Sequence, residues 1–240
     1  MTPAFKLAIV AALEREVRPL VRHWPDSVRE HEGRSFRFFE NPPAVIVCGG
    51  IGPEAARRAT QAVIALYAPA LVQSVGFAGA LDASLKVGDI FAPRRVIDAK
   101  DSSSVETGDG AGVLVSFPVV AGPDQKVNLT KAFGAQAVDM EAAAVARGAA
   151  ARGIPFRALK AISDESNFVM LPLEHFIASD GRFRSGAFLT FVGMRPWLWS
   201  RAIRLARNSA CASRALCAHL RELITAMDAP PTPEAQICLQ

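Results

Sequence analysis

A series of short apolar runs, each closed by glycine, proline or charge, constrains this chain more than any other feature: KLAIVAAL (6–13), AVIVCGG (44–50), LVQSVGFAG (71–79), DIFAPRRVID (89–98), GVLVSFPVVA (112–121), QAVDM (136–140) and FRALKAIS (156–163). Several are apolar at odd and even positions alike. Alternate side chains of a strand point to opposite faces, so such a strand has to be covered on both. The intervening segments offer the covers. EREVRPLVRHW, PEAARRATQAVIALY with Pro53 in its first turn, EAAAVARGAAARG stopped by Gly153 and Pro155, and a long stretch after Pro196 all carry helical spacing or helix punctuation. Strands alternating with helices predict an α/β layered fold.

At 240 residues and half apolar, the chain is long enough to bury a sizeable core. We expect a single domain over 1–227, closed by an amphipathic helix at 196–226, with a disordered tail at 228–240. Residues 99–111, AKDSSSVETGDGA, read as a mobile surface loop, and 167–186 as a loop over a site or at a subunit contact. The net charge of +4 and pI near 9.1 arise from scattered Lys and Arg, with no run resembling a nucleic-acid arm. Cysteines 48, 211, 217 and 238 have neither CxxC spacing nor a His pair nearby. That argues against a zinc site or disulfide framework, and no metal is expected; a reducing cytoplasm fits. LAIVAAL is closed at once by Glu14, Arg15 and Glu16, too short for a leader, and no run reaches the roughly 18–20 apolar residues of a membrane span.

Two stretches could carry chemistry, VDMEAAAVA and KAISDESN. Glu141 and Asp164 would lie at the carboxyl edge of neighbouring strands, where α/β sheets place their ligands. In the first turn of a helix, Glu141 is favoured as the anion by about 0.3–1 kcal/mol. A carboxylate there can grip a vicinal diol, each bond contributing about 1.5–3 kcal/mol. Apolar Ile162 and Phe168 near Asp164 would desolvate it enough to donate a proton near neutrality. The plainer alternative makes both acids helix caps or surface groups, and Met140 a core residue.

Both stretches resemble the nucleoside phosphorylase superfamily, in the branch of methylthioadenosine/S-adenosylhomocysteine nucleosidases and purine nucleoside phosphorylases. AALEREV (11–17), CGGIGPEAA (48–56) and VGFAGALDASLKVGDI (75–90) resemble it in the same order and spacing, so the likeness runs from about residue 5 to 165. It implies a three-layer sandwich around a central mixed, twisted sheet. It further implies that Glu141 takes the ribose 2′ and 3′ hydroxyls, Met140 packs on the sugar, and Asp164, oriented by Ser163, protonates or hydrogen-bonds purine N7. Glu16 matches the water-activating glutamate of the nucleosidases, which favours hydrolysis; inorganic phosphate is the alternative acceptor, and no cofactor is implied. Phe77, Ala78 and Gly79 match the site's glycine-rich strand end, with Phe77 in place of a small hydroxyl residue. On the purine side Gln125, Lys126 and Val127 replace the usual aromatic stack, and Val127 is expected to contact the base. Relatives assemble as homo-oligomers with sites near subunit boundaries.

The C-terminal third, RPWLWSRAIRLARNSACASRALCAHLREL with SDGRFRSGAF before it, resembles the hopanoid-associated phosphorylases. That subgroup implies a purine nucleoside with a large hydrocarbon at its 5′ position, adenosylhopane. Ala202, Leu205, Ser209, Ala212, Leu216, Leu220 and Leu223 form one helical stripe, and Arg207, Arg214 and Arg221 another. The helix either docks on its own sheet or a neighbouring subunit, or meets lipid through Trp197, Trp199 and its arginines at the inner face of the membrane. Two further classes compete. GGIGPEA has G-x-G-x-x-A spacing, but LVQSVG ends without the acid a dinucleotide ribose requires. A silent nucleoside binder would have no use for both Glu16 and Asp164.

Overall fold

The computed structural model describes residues 5–228, so all but the first residue of the expected disordered tail lies outside the described residues, as does Cys238. The elements run β1 (Leu7–Ala11), α1 (Glu14–Val21), β2 (Asp26–His31), β3 (Arg34–Asn41), β4 (Ala44–Cys48), α2 (Pro53–Tyr67), β5 (Leu71–Ala80), β6 (Ile90–Phe91), β7 (Arg95–Asp98), β8 (Ser104–Glu106) and β9 (Val113–Ser116). Then follow α3 (Pro123–Phe133), β10 (Ala137–Asp139), α4 (Ala142–Ala150), β11 (Phe156–Asp164), α5 (Ser185–Gly193) and α6 (Trp199–Asp228), with single 3-10 turns at Leu173–Phe176 and Pro196–Leu198.

The strands form one mixed sheet, as expected. Its order is β2-β3-β4-β1-β5-β10-β9-β7-β8, and β11 pairs with the other edge of β5. The doubly apolar runs explain the layers. In β1, Ala8 and Val10 face α2 and α4, while Leu7 and Ile9 face α1 and α6; β4 repeats this with Val45 and Val47 against Ala44 and Ile46. Helices therefore cover both faces of the sheet.

Three parts of the fold depart from the sequence reading. The β2–β3 hairpin was not visible in the hydrophobic pattern because β2, DSVREH, is an edge strand with no buried residue. Residues 99–111 are not simply a mobile loop: β8 pairs with β7, and the Thr107 hydroxyl donates to the Pro93 carbonyl at 2.5 Å. The terminal helix divides in two. From Ala212 onward its stripe docks beside α1, burying Ala212, Leu216, Leu220 and Ile224, whereas no residue from Trp199 to Cys211 is buried.

β5 positions the site. On one edge it pairs with β11 from Val72 to Gly79. On the other, β1 pairs only as far as Ser74, and β10 joins from the opposite direction at Gly79. These pairings leave Val75–Ala78 without a strand partner on that edge. The β1–α1 turn and the β10–α4 junction both end there.

Candidate active site

Beside that unpaired stretch lies a cavity of about 150 Å³. Eight of the nine residues expected in the site line it: Glu16, Phe77, Ala78, Gly79, Met140, Glu141, Ser163 and Asp164. Val127 does not. It is 51% exposed on α3, because the segment forms an 11-residue helix that turns the preceding residue, Lys126, inward instead. The two acids of the opening motifs are not on neighbouring strands either, since β5 lies between β10 and β11 and runs antiparallel to β10. Val119, Val120, Met170, Leu173, Ile177 and Phe183 form apolar walls, and the Arg15 guanidinium sits 5.1 Å from the centre of the Phe183 ring.

The β10–α4 junction separates structural acid from site acid. Asp139 accepts from the Ala142 N–H at 2.8 Å and the Ser116 hydroxyl at 2.6 Å, and Ser116 in turn accepts from the Ala143 N–H at 2.9 Å. Together they satisfy the N-terminal donors of α4. Glu141, at the N-cap position, is thereby free to turn into the cavity, where the Gly52 N–H donates to its Oε1 at 2.8 Å. Its charge state differs from the expected one. Burial, then the Asp139 charge, push its carboxyl up to about 8, outweighing the Gly52 bond and the attraction of Lys160.

Lys160 was missed, although a lysine inside the apolar run FRALKAIS is itself a signal. It is fully enclosed in β11, 2.8 Å from Asp139 Oδ2 and 3.0 Å from the Ser74 hydroxyl. One ammonium thus serves two buried acids and the half-buried Glu141, because its field also reaches Glu141 and Glu16. Glu16 is buried, accepts a 3.3 Å bond from the Leu13 N–H, and is pushed above its ordinary value chiefly by desolvation. It lies flat against β5 because position 76 is glycine: with φ +149, a Cβ there would stand 2.9 Å from Glu16 Oε2.

Asp164 was expected among apolar neighbours. Instead its Oδ2 forms an ion pair with the Lys126 ammonium, and its Oδ1 accepts from the Ser163 hydroxyl at 2.8 Å. The sequence placed Lys126 on the purine side with Gln125 and Val127 but gave the base contact to Val127, since the helix that carries them had not been recognised. Among the described residues no group of His, Cys, Asp and Glu is arranged to hold a metal ion.

A layered mixed sheet whose interrupted central edge gathers acids from three chain segments around one cavity defines the class of α/β fold to which the chain belongs. The model of the phosphorylase superfamily matches residues 6–124 and 118–183, and the chain belongs to that superfamily. It is 26% identical over 200 residues to a 5′-methylthioadenosine/S-adenosylhomocysteine nucleosidase of Staphylococcus aureus, covering 67% of this chain and 87% of the relative. Among solved structures, the enzyme of that description from Colwellia psychrerythraea, in complex with adenine, is similar at 25% identity with TM-score 0.60, covering 68% of this chain and 84% of the other. The one from Neisseria meningitidis, in complex with methylthio-immucillin-A, shares the fold with TM-score 0.68 at 19% identity, covering 92% and 98%.

Proposed function

We propose that this protein is a purine nucleosidase that cleaves the N-glycosidic bond of a 5′-modified purine ribonucleoside and releases adenine. The observation that carries this reading is the convergence of Glu16, Glu141 and Asp164, from three separate chain segments, on one small cavity. Glu141 grips the ribose diol and Met140 packs on the sugar. As the C1′–N9 bond lengthens, the sugar becomes cation-like and the base accumulates charge, which the Asp164 end of the cavity meets. Glu16 takes a proton from the water that attacks C1′. An assay with and without inorganic phosphate tests the acceptor: the rate is expected to be unchanged, with the product mass that of the free sugar. A phosphate requirement and a sugar phosphate product would assign phosphorolysis instead. Binding of nucleosides with no base released from any of them would sink the enzyme reading.

The 5′ substituent is proposed to be a large hydrocarbon, as in adenosylhopane, with 5′-methylthioadenosine or S-adenosylhomocysteine as the alternative. The surface carrying this finer reading is α5 and the start of α6. α5 is largely apolar yet has no buried residue; Leu189 within it, and Met194, Trp197 (72%), Trp199 and Ile203 just after it, stand exposed. From Gly181 to Arg221 the chain carries eight arginines and neither aspartate nor glutamate. Apolar side chains within an acid-free, basic segment suit an anionic bilayer surface, and would place the enzyme at the inner face of the membrane. The protein is expected to co-sediment with vesicles containing anionic lipid and less with neutral ones, and Trp197→Ser with Trp199→Ser should abolish this. Equal recovery in the supernatant with both vesicle types would overturn the membrane reading, and self-association at that face would assign it to a second copy.

A further inference from the structure

Lys126 brings a positive charge into a cavity otherwise rich in carboxylates, and it is held there at 3% exposure. Of its three ammonium protons, one goes to Asp164 Oδ2 and one to the Glu165 carbonyl at 2.8 Å. The third is uncommitted on a side chain that lines the cavity. Asp164 has spare acceptor capacity too, since a carboxylate offers about four lone-pair positions and only Ser163 and Lys126 are bonded to it. Space for the pair is made by Gly79, where a Cβ would lie 2.8 Å from Asp164 Oδ2 and 3.2 Å from Lys126 Nζ. Any other residue at 79 would push the pair away from β5.

Donor and acceptor held side by side match one edge of one kind of base. Adenine presents N7 as an acceptor next to its exocyclic amine as a donor, whereas a 6-oxopurine presents two acceptors. We propose that Lys126 and Asp164 read the 6-aminopurine edge together, Lys126 giving its proton to N7 and Asp164 accepting from the exocyclic amine. This rests on the nucleosidase reading and moves the proton donor within it from the aspartate to the lysine. In the step, the C1′–N9 bond breaks with its electron pair passing to the base, and N7 takes a proton from the Lys126 ammonium, leaving the neutral amine. Water adds its oxygen to C1′ and its proton to Glu16. Proton exchange with solvent then restores both groups. A 6-oxopurine turns an oxygen lone pair toward the Asp164 carboxylate and is rejected.

Lys126→Gln keeps a hydrogen-bond donor beside Asp164 but has no transferable charge, and Lys126→Met serves as a second variant should glutamine perturb folding. With 5′-methylthioadenosine as substrate, Lys126→Gln is expected to lower kcat at least about 100-fold, while Asp164→Asn, whose amide can turn an N–H toward a 6-oxo group, should collapse the preference over the 6-oxo counterpart. Calorimetry should show wild type binding adenine more tightly than hypoxanthine or 7-deazaadenine, with the 7-deaza difference erased in Lys126→Met, which has no donor for N7, and the hypoxanthine difference erased in Asp164→Asn. A merely structural lysine would lower all these values together. Near-normal turnover, or a loss spread evenly over 6-amino, 6-oxo and 7-deaza ligands, would overturn the proposal while leaving the nucleosidase reading intact. Should wild type release no base from any nucleoside, the nucleosidase reading fails separately. The binding comparison then still decides whether the pair selects a 6-aminopurine, because equal binding of the three bases by wild type refutes that selection.

Discussion

Asp164→Asn is expected to reduce turnover by about 10²- to 10⁴-fold with only a modest change in substrate binding. The amide keeps the shape of the side chain and one acceptor oxygen, so the ground-state complex is largely retained. It removes the counter-charge of a nearly fully enclosed ammonium, Lys126. An unpaired buried ammonium is driven toward its neutral form, and a neutral amine has no proton to give the departing base. The loss therefore falls on kcat and kcat/KM alike, the signature of an interaction made in the transition state. Steady-state kinetics on an adenine nucleoside, with adenine release followed directly, check this; turnover close to wild type would remove Asp164 from the chemistry.

Glu16→Gln carries the second large expectation, a comparable loss of kcat together with loss of the acidic limb of the pH–rate profile. Burial raises the Glu16 carboxyl above its ordinary value, so the carboxylate that can accept a proton from water appears only as pH rises through that raised value. In wild type, kcat/KM should climb with pH across that window, and in the glutamine variant it should not. Stability must respond in the opposite sense. Because the folded-state value is raised, the stabilising contribution of protonated Glu16 is fully present below its unfolded value of 4.5 and is lost as pH rises through the folded one. A neutral glutamine loses nothing over that range, so the variant should gain stability relative to wild type at neutral pH in urea titrations. A variant both inactive and less stable at neutral pH would point to a packing role for Glu16 instead.

The buried acids also separate what is local from what is not. Pro53 opens α2 where a first-turn proline was expected, and FRALKAIS is the body of β11, because those signals depend on the residue and its neighbours alone. The β2–β3 hairpin and α3 were harder to see. β2 is an exposed edge strand with polar residues, and α3 begins on the loop-like GPDQ, where Gly122 and Pro123 act as a cap and first turn. Missing α3 by that margin placed Val127 in the site and left Lys126 out, since one helical position of 100° decides which side chain faces in.

Asp139 and Glu141 are two residues apart, yet one is committed to the first turn of α4 and to Lys160, and the other to the cavity. Spacing fixed their place at a strand-to-helix junction. It did not assign their charges. The amino-acid sequence by itself determined the layered α/β class, most strand and helix positions, and the motif residues that converge on the cavity, because propensity and alternation act over a few residues. Only the tertiary structure decided that β10 enters antiparallel beside β5, that three acids share the ammonium of Lys160, and that Lys126 pairs with Asp164. Desolvation and Coulomb energies depend on distances between groups far apart in the chain, and those distances exist only once the chain has folded.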